Sequence, residues 1–263
     1  MNNVFLKILF GLAAAFLWLS QAPANAQTRI EHLVLEAEDG EQVTGFLFQK
    51  HVSDDDAPLA ILMHGMGGSS ITWLAYDQSF YVDAITRDMI DRGYRVVALD
   101  ARAHGARISD ISPMDRLRSL RSGESGPYRS MINGTVEDYV KLLDHLDKRF
   151  GLPDRVVAIG YSMGAQTAIL LSAQDDRVSH IVTMVPPAAR SAIDVAPVTH
   201  AAKVSAQWLL ITAAQDQFST AEENAELVHA AGSQLTKVEF DSGHRLPRKY
   251  TAAVANWLDR SED

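Results

Sequence analysis

The chain has 263 residues, of which 47% are hydrophobic and 22% charged, a composition that excludes collagen-like, low-complexity and wholly disordered proteins. It contains no cysteine, which excludes disulfides, cysteine-ligated zinc, iron–sulfur clusters and thiol catalysis. The formal charge of −9 disfavours a nucleic-acid-binding surface.

The first 26 residues have the pattern of a secretory signal peptide. Lys7 precedes the apolar run Ile8–Leu19, and Ala24-Asn25-Ala26 matches the small-x-small pattern of a cleavage site. We therefore expect cleavage after Ala26 and a periplasmic or secreted bacterial protein with no stable membrane insertion. The alternative is an N-terminal membrane anchor, although the apolar run is shorter than the about 20 residues that a membrane span needs.

The rest of the chain alternates predicted strands and helices. Ile30–Ala37 and Gln42–Gln49 flank the turn pair Asp39-Gly40, which predicts an antiparallel hairpin. Later strands are predicted at Leu59–Met63, Tyr94–Leu99, Val156–Ile159, Ile181–Met184, Trp208–Thr212 and Leu235–Phe240. Helices are predicted at Phe80–Asp91, 135–146, Met163–Ser172, 220–232 and Arg248–Leu258. Strands separated by helices indicate a parallel sheet covered on both faces, in one domain over residues 27–263.

One stretch, residues 101–134, shows no clear periodicity and is far longer than the usual connection between elements. Long loops of this kind are often lids, which makes residues 106–134 a candidate lid. Its five arginines could bind an anionic substrate, but the acidic residues between them favour a solvent-exposed surface of mixed charge instead. These arginines are Arg107, Arg116, Arg118, Arg121 and Arg129. Thr135 and Asp138 have the pattern of a capping box, which predicts that the next helix begins there.

A candidate nucleophile lies in Gly160-Tyr161-Ser162-Met163-Gly164, which follows a predicted strand and opens a predicted helix. This is the context in which G-x-S-x-G forms a strained turn that projects the serine hydroxyl above the sheet. Glycine is needed at both ends because the backbone of the turn crowds its neighbours. The alternative is a structural serine in a glycine-rich turn.

A neutral serine hydroxyl is a poor nucleophile and needs a base, which a carboxylate orients. Asp216 and His244 each follow a predicted strand, and so does Ser162. All three should therefore stand at the carboxyl edge of the sheet, where ligands bind in open α/β sheets. We predict Ser162 as nucleophile, His244 as base and Asp216 as orienting acid, with Asp194 as the alternative acid.

Acyl transfer also needs hydrogen-bond donors for the developing oxyanion. His64-Gly65-Met66-Gly67-Gly68 follows the strand Leu59–Met63, and its glycines let backbone N–H groups face a ligand. We predict the amides of Met66 and Met163 as the oxyanion hole. His64 and His104 are expected to brace their own loops.

Taken together, these motifs resemble the α/β-hydrolase superfamily, in particular its small esterases and its dienelactone-hydrolase-like and serine-peptidase-like members. The resemblance rests on HGMGGS at 64–69, LDARAHG at 99–105, GYSMGA at 160–165, the aspartate of ITAAQDQFS and the histidine of DSGHRLP. It implies a mostly parallel eight-stranded sheet flanked by helices. The chain departs from the many members that insert a cap domain after the strand corresponding to Ile181–Met184, because here the segment before Trp208 is too short for one. We therefore expect no large cap domain.

The expected activity is that of an exported serine hydrolase that cleaves a carboxylic ester, thioester or lactone of a small-molecule acyl substrate through an acyl-Ser162 intermediate. A serine peptidase or acyl transferase on the same scaffold is the alternative, and a non-catalytic binding protein is a third interpretation. No metal or organic cofactor is expected.

Overall fold

The computed structural model describes residues 28–50 and 56–261. The predicted signal peptide at 1–26 lies outside the described residues. Within the described part, none of the helices combines the length and apolar character that crossing a membrane requires.

The sheet has eight strands in the order β1-β2-β4-β3-β5-β6-β7-β8. The pairs β1–β2 and β2–β4 are antiparallel and all other pairs are parallel, which confirms the expected fold. The strands are β1 Thr28–Glu36, β2 Gln42–Lys50, β3 Leu59–Met63, β4 Arg95–Leu99, β5 Val156–Tyr161, β6 His180–Met184, β7 Gln207–Ala213 and β8 Leu235–Phe240.

Helices cover both faces of this sheet. They are α1 Val82–Asp91, α2 Pro113–Arg121, α3 Gly126–Phe150, α4 Met163–Ser172, α5 Pro197–His200, α6 Ala221–Ala231 and α7 Tyr250–Arg260. Short 3₁₀ turns lie at Ser70–Trp73, Gly105–Arg107, Arg190–Val195, Ala201–Lys203 and Gly232–Gln234.

The core has two hydrophobic layers, one on each face of the sheet. One layer contains apolar residues of α3, α4 and α6, and the other contains those of α1 and α7. Successive strand residues alternate between the layers: Ile61 belongs to the first layer and Leu62 to the second. Because side chains alternate across a strand, a central strand covered on both sides is apolar at every position.

Two expectations about the segment before Thr135 are wrong. Residues 113–121 form α2, and α3 begins at Gly126 rather than at Thr135. Thr135 lies inside α3, where its hydroxyl donates to Met131 O at 2.7 Å and accepts from Arg102 N at 3.0 Å. Thr135 therefore does not cap the start of a helix; its hydroxyl instead connects α3 to the loop after β4. A capping box does occur at Thr220 and Glu223, where it begins α6.

Candidate active site

Ser162 occupies the turn between β5 and α4, with φ of 55°. Its backbone is held by a hydrogen bond from Ser162 N to Met184 O at 2.8 Å. A Cβ at Gly160 would lie 2.1 Å from Gly164 O, and one at Gly164 would lie 2.0 Å from Met63 O. Only glycine fits at either position, so the sequence of the turn fixes the strained conformation that exposes the serine.

The structure brings together the three side chains selected from the sequence. Ser162 Oγ lies 2.9 Å from His244 Nε2. His244 Nδ1 lies 3.0 and 2.9 Å from the two carboxylate oxygens of Asp216. With Nδ1–H donating to the carboxylate, Nε2 is the free acceptor for the serine proton.

The chain around His244 restricts both the histidine and its acid. The Asp216 side chain is 2% exposed, and its Oδ1 also accepts a hydrogen bond from Phe218 N at 2.9 Å. The Phe218 ring meets the imidazole edge-on, with centroids 4.6 Å apart. These contacts orient the His244 ring toward Ser162.

Asp194, the alternative acid, lies in a different environment. Its carboxylate accepts a hydrogen bond from Arg129 Nε at 2.5 Å, and both side chains are exposed. The structure does not bring Asp194 into contact with His244.

The glycine-rich loop after β3 lies against the nucleophile turn. A Cβ at Gly65 would lie 3.4 Å from Ser162 Cβ, and the loop is closed by a hydrogen bond from Gly68 N to Gly65 O at 3.0 Å. Met66 is within this turn, and Met163 is the first residue of α4. The amide of a first helical residue has no partner within its helix, so Met163 N–H is open to a ligand.

His64 braces this loop as a neutral imidazole. Its Nε2 accepts from Ala101 N at 3.1 Å, so its Nδ1 carries the proton and donates to Gly65 O at 2.9 Å. Burial, together with the nearby His104, lowers the pKa of His64 to about 4. His104 Nδ1 similarly contacts Arg102 O at 2.9 Å, so both histidines brace loops as expected.

A cavity of about 400 Å³, the catalytic cavity, opens at Ser162 and His244. Its wall is mainly apolar and includes Met66, Trp73, Phe80, Val82, Pro187 and Phe218. Sequence reasoning missed Trp73, Phe80 and Phe218 as wall residues, although each follows a strand that carries a recognised motif. Their positions after those strand ends are the signal that could have found them.

Part of the candidate lid borders the catalytic cavity. Met114 and Leu117 of α2 and Tyr128 of α3 line its wall. Met114 remains 46% exposed, so α2 lies at the mouth of the cavity rather than in the core. Among the described residues, no three histidine, aspartate or glutamate side chains converge in a way that could hold a metal ion.

The fold has many solved counterparts. A cold-adapted esterase from an Arctic intertidal metagenomic library matches with a TM-score of 0.70 at 18% identity, over 89% of this chain and 94% of that chain. The Pyrococcus furiosus esterase Pf2001 matches with a TM-score of 0.65 at 17% identity, over 88% and 92%. A puromycin hydrolase matches with a TM-score of 0.62 at 18% identity, over 86% of this chain and 37% of that one. At these identities the likeness establishes the fold.

A comparison with curated proteins gave no match. A family model described as alpha/beta hydrolase family matches residues 60–260, a span that contains Ser162, Asp216 and His244. This family model supports hydrolase activity. The chain belongs to the alpha/beta hydrolase family.

Proposed function

We propose that this protein is a serine hydrolase that cleaves carboxylic esters of small molecules through an acyl-Ser162 intermediate. The observation that carries the proposal is the continuous contact from Ser162 Oγ to His244 Nε2 and from His244 Nδ1 to Asp216. A serine hydroxyl within hydrogen-bond distance of an oriented imidazole is the arrangement that activates it as a nucleophile.

In the acylation step, Ser162 Oγ attacks the ester carbonyl while its proton moves to His244 Nε2. The electron pair of the carbonyl moves to its oxygen, which the amides of Met66 and Met163 stabilise as an oxyanion. The intermediate collapses, the ester C–O bond breaks, and the imidazolium returns its proton to the leaving alcohol.

In the deacylation step, His244 takes a proton from water as the water oxygen attacks the acyl carbonyl. Collapse of this second intermediate releases the carboxylic acid, and Ser162 Oγ regains its proton from His244. Asp216 stays ionised throughout and stabilises the imidazolium. Thioesters and lactones pass through the same kind of intermediate.

The lining of the catalytic cavity favours a substrate with an apolar group next to the scissile bond. Burial of an apolar chain against its aromatic and aliphatic side chains lowers the free energy of binding. Its volume of about 400 Å³ lies within the usual range for small-molecule sites.

A serine peptidase or acyl transferase is the second candidate, because both use the same nucleophile, base and oxyanion donors. The structural likeness to a puromycin hydrolase favours including amide substrates in any test. A binding protein without catalysis is the third candidate, and a complete set of serine, histidine and aspartate counts against it.

Labelling with a fluorophosphonate probe distinguishes the enzyme from the binding protein. The wild-type protein should be labelled at Ser162, and a folded Ser162→Ala variant should not. A panel of chromogenic acyl esters, extended to lactones, thioesters and aminoacyl amides, then compares the esterase with the peptidase. Efficient turnover of the aminoacyl amides would favour the peptidase, because an amine is a poorer leaving group than an alcohol and a simple esterase cleaves amides poorly.

We also propose that the protein is exported to the periplasm or secreted. The support is the sequence of residues 1–26, with its apolar run and its small-x-small site.

A further inference from the structure

A second cavity, of about 390 Å³, shares no lining residue with the catalytic cavity. Its wall comes from the β1–β2 turn, the loop after β4, α2 and the first turns of α3. We call it the arginine cavity, because three guanidinium groups line it. Its polar wall residues include Glu41, Arg102, Arg107, Ser109, Arg116 and Ser130.

Two of the three guanidinium groups are neutralised by carboxylates. Asp138, which is buried, accepts from Arg102 Nη2 at 3.1 Å and from Arg107 Nη1 at 2.7 Å. Glu41 accepts from Arg107 Nε at 3.0 Å and forms a further ion pair with Arg102. Asp39 also pairs with Arg102. Three carboxylates therefore pair with two arginines, so the charges of Arg102 and Arg107 are more than balanced within the protein.

Arg116 differs from them. Its guanidinium donates to Ile111 O at 3.3 Å, to Pro127 O at 3.0 Å and to Ser109 Oγ at 3.2 Å. Within the described residues, no carboxylate oxygen lies within ion-pair distance of it. Guanidinium has five N–H donors and these contacts use three, so Arg116 keeps a positive charge and spare donors beside the cavity.

Arg107 supplies a second, independent observation. Its side chain is 2% exposed, and its Nη2 is buried with no hydrogen-bond partner among the described residues. An unsatisfied buried donor on a charged group costs free energy that a ligand oxygen would recover. The lining residues thus include Arg116, which no described carboxylate pairs, and Arg107, whose buried Nη2 has no hydrogen-bond partner.

We infer that the arginine cavity binds a small oxyanion, a carboxylate or phosphate group, between Arg116 and Arg107. Both ligand groups present paired oxygens that match the planar fork of a guanidinium. The hydroxyls of Ser109 and Ser130 can add neutral donors at the same wall. Because Nη2 has almost no accessible surface, the Arg107 side chain must shift for this donor to reach a bound oxygen.

Occupancy of this site bears on the catalytic cavity through α2. Met114 and Leu117 of this helix line the catalytic cavity, whereas Arg116 lines the arginine cavity. An anion that holds Arg116 therefore stabilises α2 in its position at the mouth of the catalytic cavity. Binding to the folded state alone also raises the free energy of unfolding.

Calorimetric titration and thermal unfolding with inorganic phosphate and with acetate test the site, at constant ionic strength maintained with sodium chloride. We expect saturable binding and a saturable rise in Tm with at least one of the two anions. Saturation with phosphate alone identifies a phosphate site, and saturation with acetate identifies a carboxylate site. The absence of a saturable response to either anion would overturn the inference.

Arg116→Gln should weaken binding on the order of tenfold or more, because it removes a charge-assisted contact. Arg118→Gln is the matched control, because Arg118 lies on the same helix, is exposed and pairs with Asp115. Ser109→Asp keeps Arg116 but places a carboxylate beside it, and it should also abolish the response. Unchanged binding in a folded Ser109→Asp variant would refute the assignment even where Arg116→Gln does not fold.

Amide hydrogen exchange reports the coupling without any enzyme assay. The bound anion should slow exchange in peptides from Pro113–Arg121 and leave those from Met163–Ser172 unchanged. If the exchange rate of the α2 amides is the same with and without the anion, the proposed coupling is wrong.

Discussion

The hydroxyl of Tyr161 donates a hydrogen bond to the backbone carbonyl of His244 at 2.7 Å. The same hydroxyl accepts from Leu246 N at 3.0 Å, and the Tyr161 ring meets the His244 ring edge-on at 6.0 Å. Tyr161 directly precedes the nucleophile, so one side chain ties the loop of the base to the turn of Ser162. Burial raises the pKa of Tyr161, which keeps the hydroxyl protonated for this contact.

We expect Tyr161→Phe to lower kcat by about tenfold with little change in KM, because loss of two hydrogen bonds loosens the base while the aromatic ring that lines the catalytic cavity is kept. Steady-state ester hydrolysis measures this split. The control is Tyr139→Phe, a buried tyrosine whose hydroxyl lies 3.5 Å from Leu62 O. The control should lose stability and keep kcat, and equal kcat losses in both variants would indicate a merely structural role for Tyr161.

Replacement of the proposed catalytic residues should give unequal losses. Ser162→Ala and His244→Ala should each lower turnover on the order of 10⁴-fold or more, and the double variant should be little worse because they act as a unit. Asp216→Ala should be severe but milder, because a bare imidazole still accepts a proton. Hydrolysis of an activated ester measures each rate, with folding checked by circular dichroism.

Asp194→Ala is the control for the acid. Its carboxylate pairs with Arg129 at an exposed position, so near-wild-type rates are expected. A severe loss in Asp194→Ala combined with near-wild-type rates in Asp216→Ala would mean that the acid has been misassigned.

Local sequence predicted the strands and the motif-bearing turns because those features depend on short-range constraints. A Cβ at Gly160 or Gly164 would clash with backbone, and β3 is apolar at every position because both its faces are covered. Such constraints appear in any short window of the sequence. The resulting strand ends then placed Ser162, Asp216 and His244 on one edge.

The segment before Thr135 was mispredicted because its structure depends on contacts between residues that are far apart in the sequence. Asp138 was predicted to be a capping residue. It lies inside α3 instead and neutralises Arg102 and Arg107, which belong to a loop that is distant in the sequence. A local signal for α2 did exist: Ser112 accepts from Asp115 N at 3.2 Å, and Pro113 is the first helical residue. The contacts of Tyr161 with residues 244 and 246 were not predictable, because they depend on how two loops meet.

Leu117→Trp should reduce kcat/KM for long-chain acyl esters and spare acetyl esters, because the larger ring fills part of the catalytic cavity beneath α2. A change of this size in an apolar pocket predicts roughly a tenfold loss. The control Arg118→Trp changes an exposed position on the same helix. The two variants should differ across an ester series of increasing chain length. Identical profiles would mean that α2 does not restrict the acyl chain.

The leader should be removed during export. When the full chain is expressed in a bacterial host, Edman sequencing of the periplasmic product should begin at Gln27, after the Ala24-Asn25-Ala26 site. Lys7→Glu, which removes the positive charge before the apolar run, should slow processing. A membrane-bound product that still begins at Met1 would indicate the anchor instead.

Buried histidines should make the fold sensitive to mild acid. Burial lowers the pKa of His64 to about 4, and burial together with the charge of Arg155 lowers that of His180 to about 4. In the unfolded chain a histidine titrates near about 6.5, so between these two values the unfolded state binds more protons than the folded state. The stabilisation is therefore complete above about pH 6.5 and is lost as the pH falls toward 4.

For fully buried His64 this loss amounts to roughly 3 kcal/mol of unfolding free energy at pH 4. Paired carboxylates titrate lower: the hydrogen bond from Arg177 lowers the pKa of Asp175 below its usual 3.8, so its contribution is lost only in stronger acid. Urea unfolding at pH values from 7 to 4 measures the slope. His180→Gln should make that slope shallower, whereas His229→Gln, at an exposed position of α6, should leave it unchanged. A wild-type stability that stays constant from pH 6.5 to 4 would contradict the assignment of buried neutral histidines.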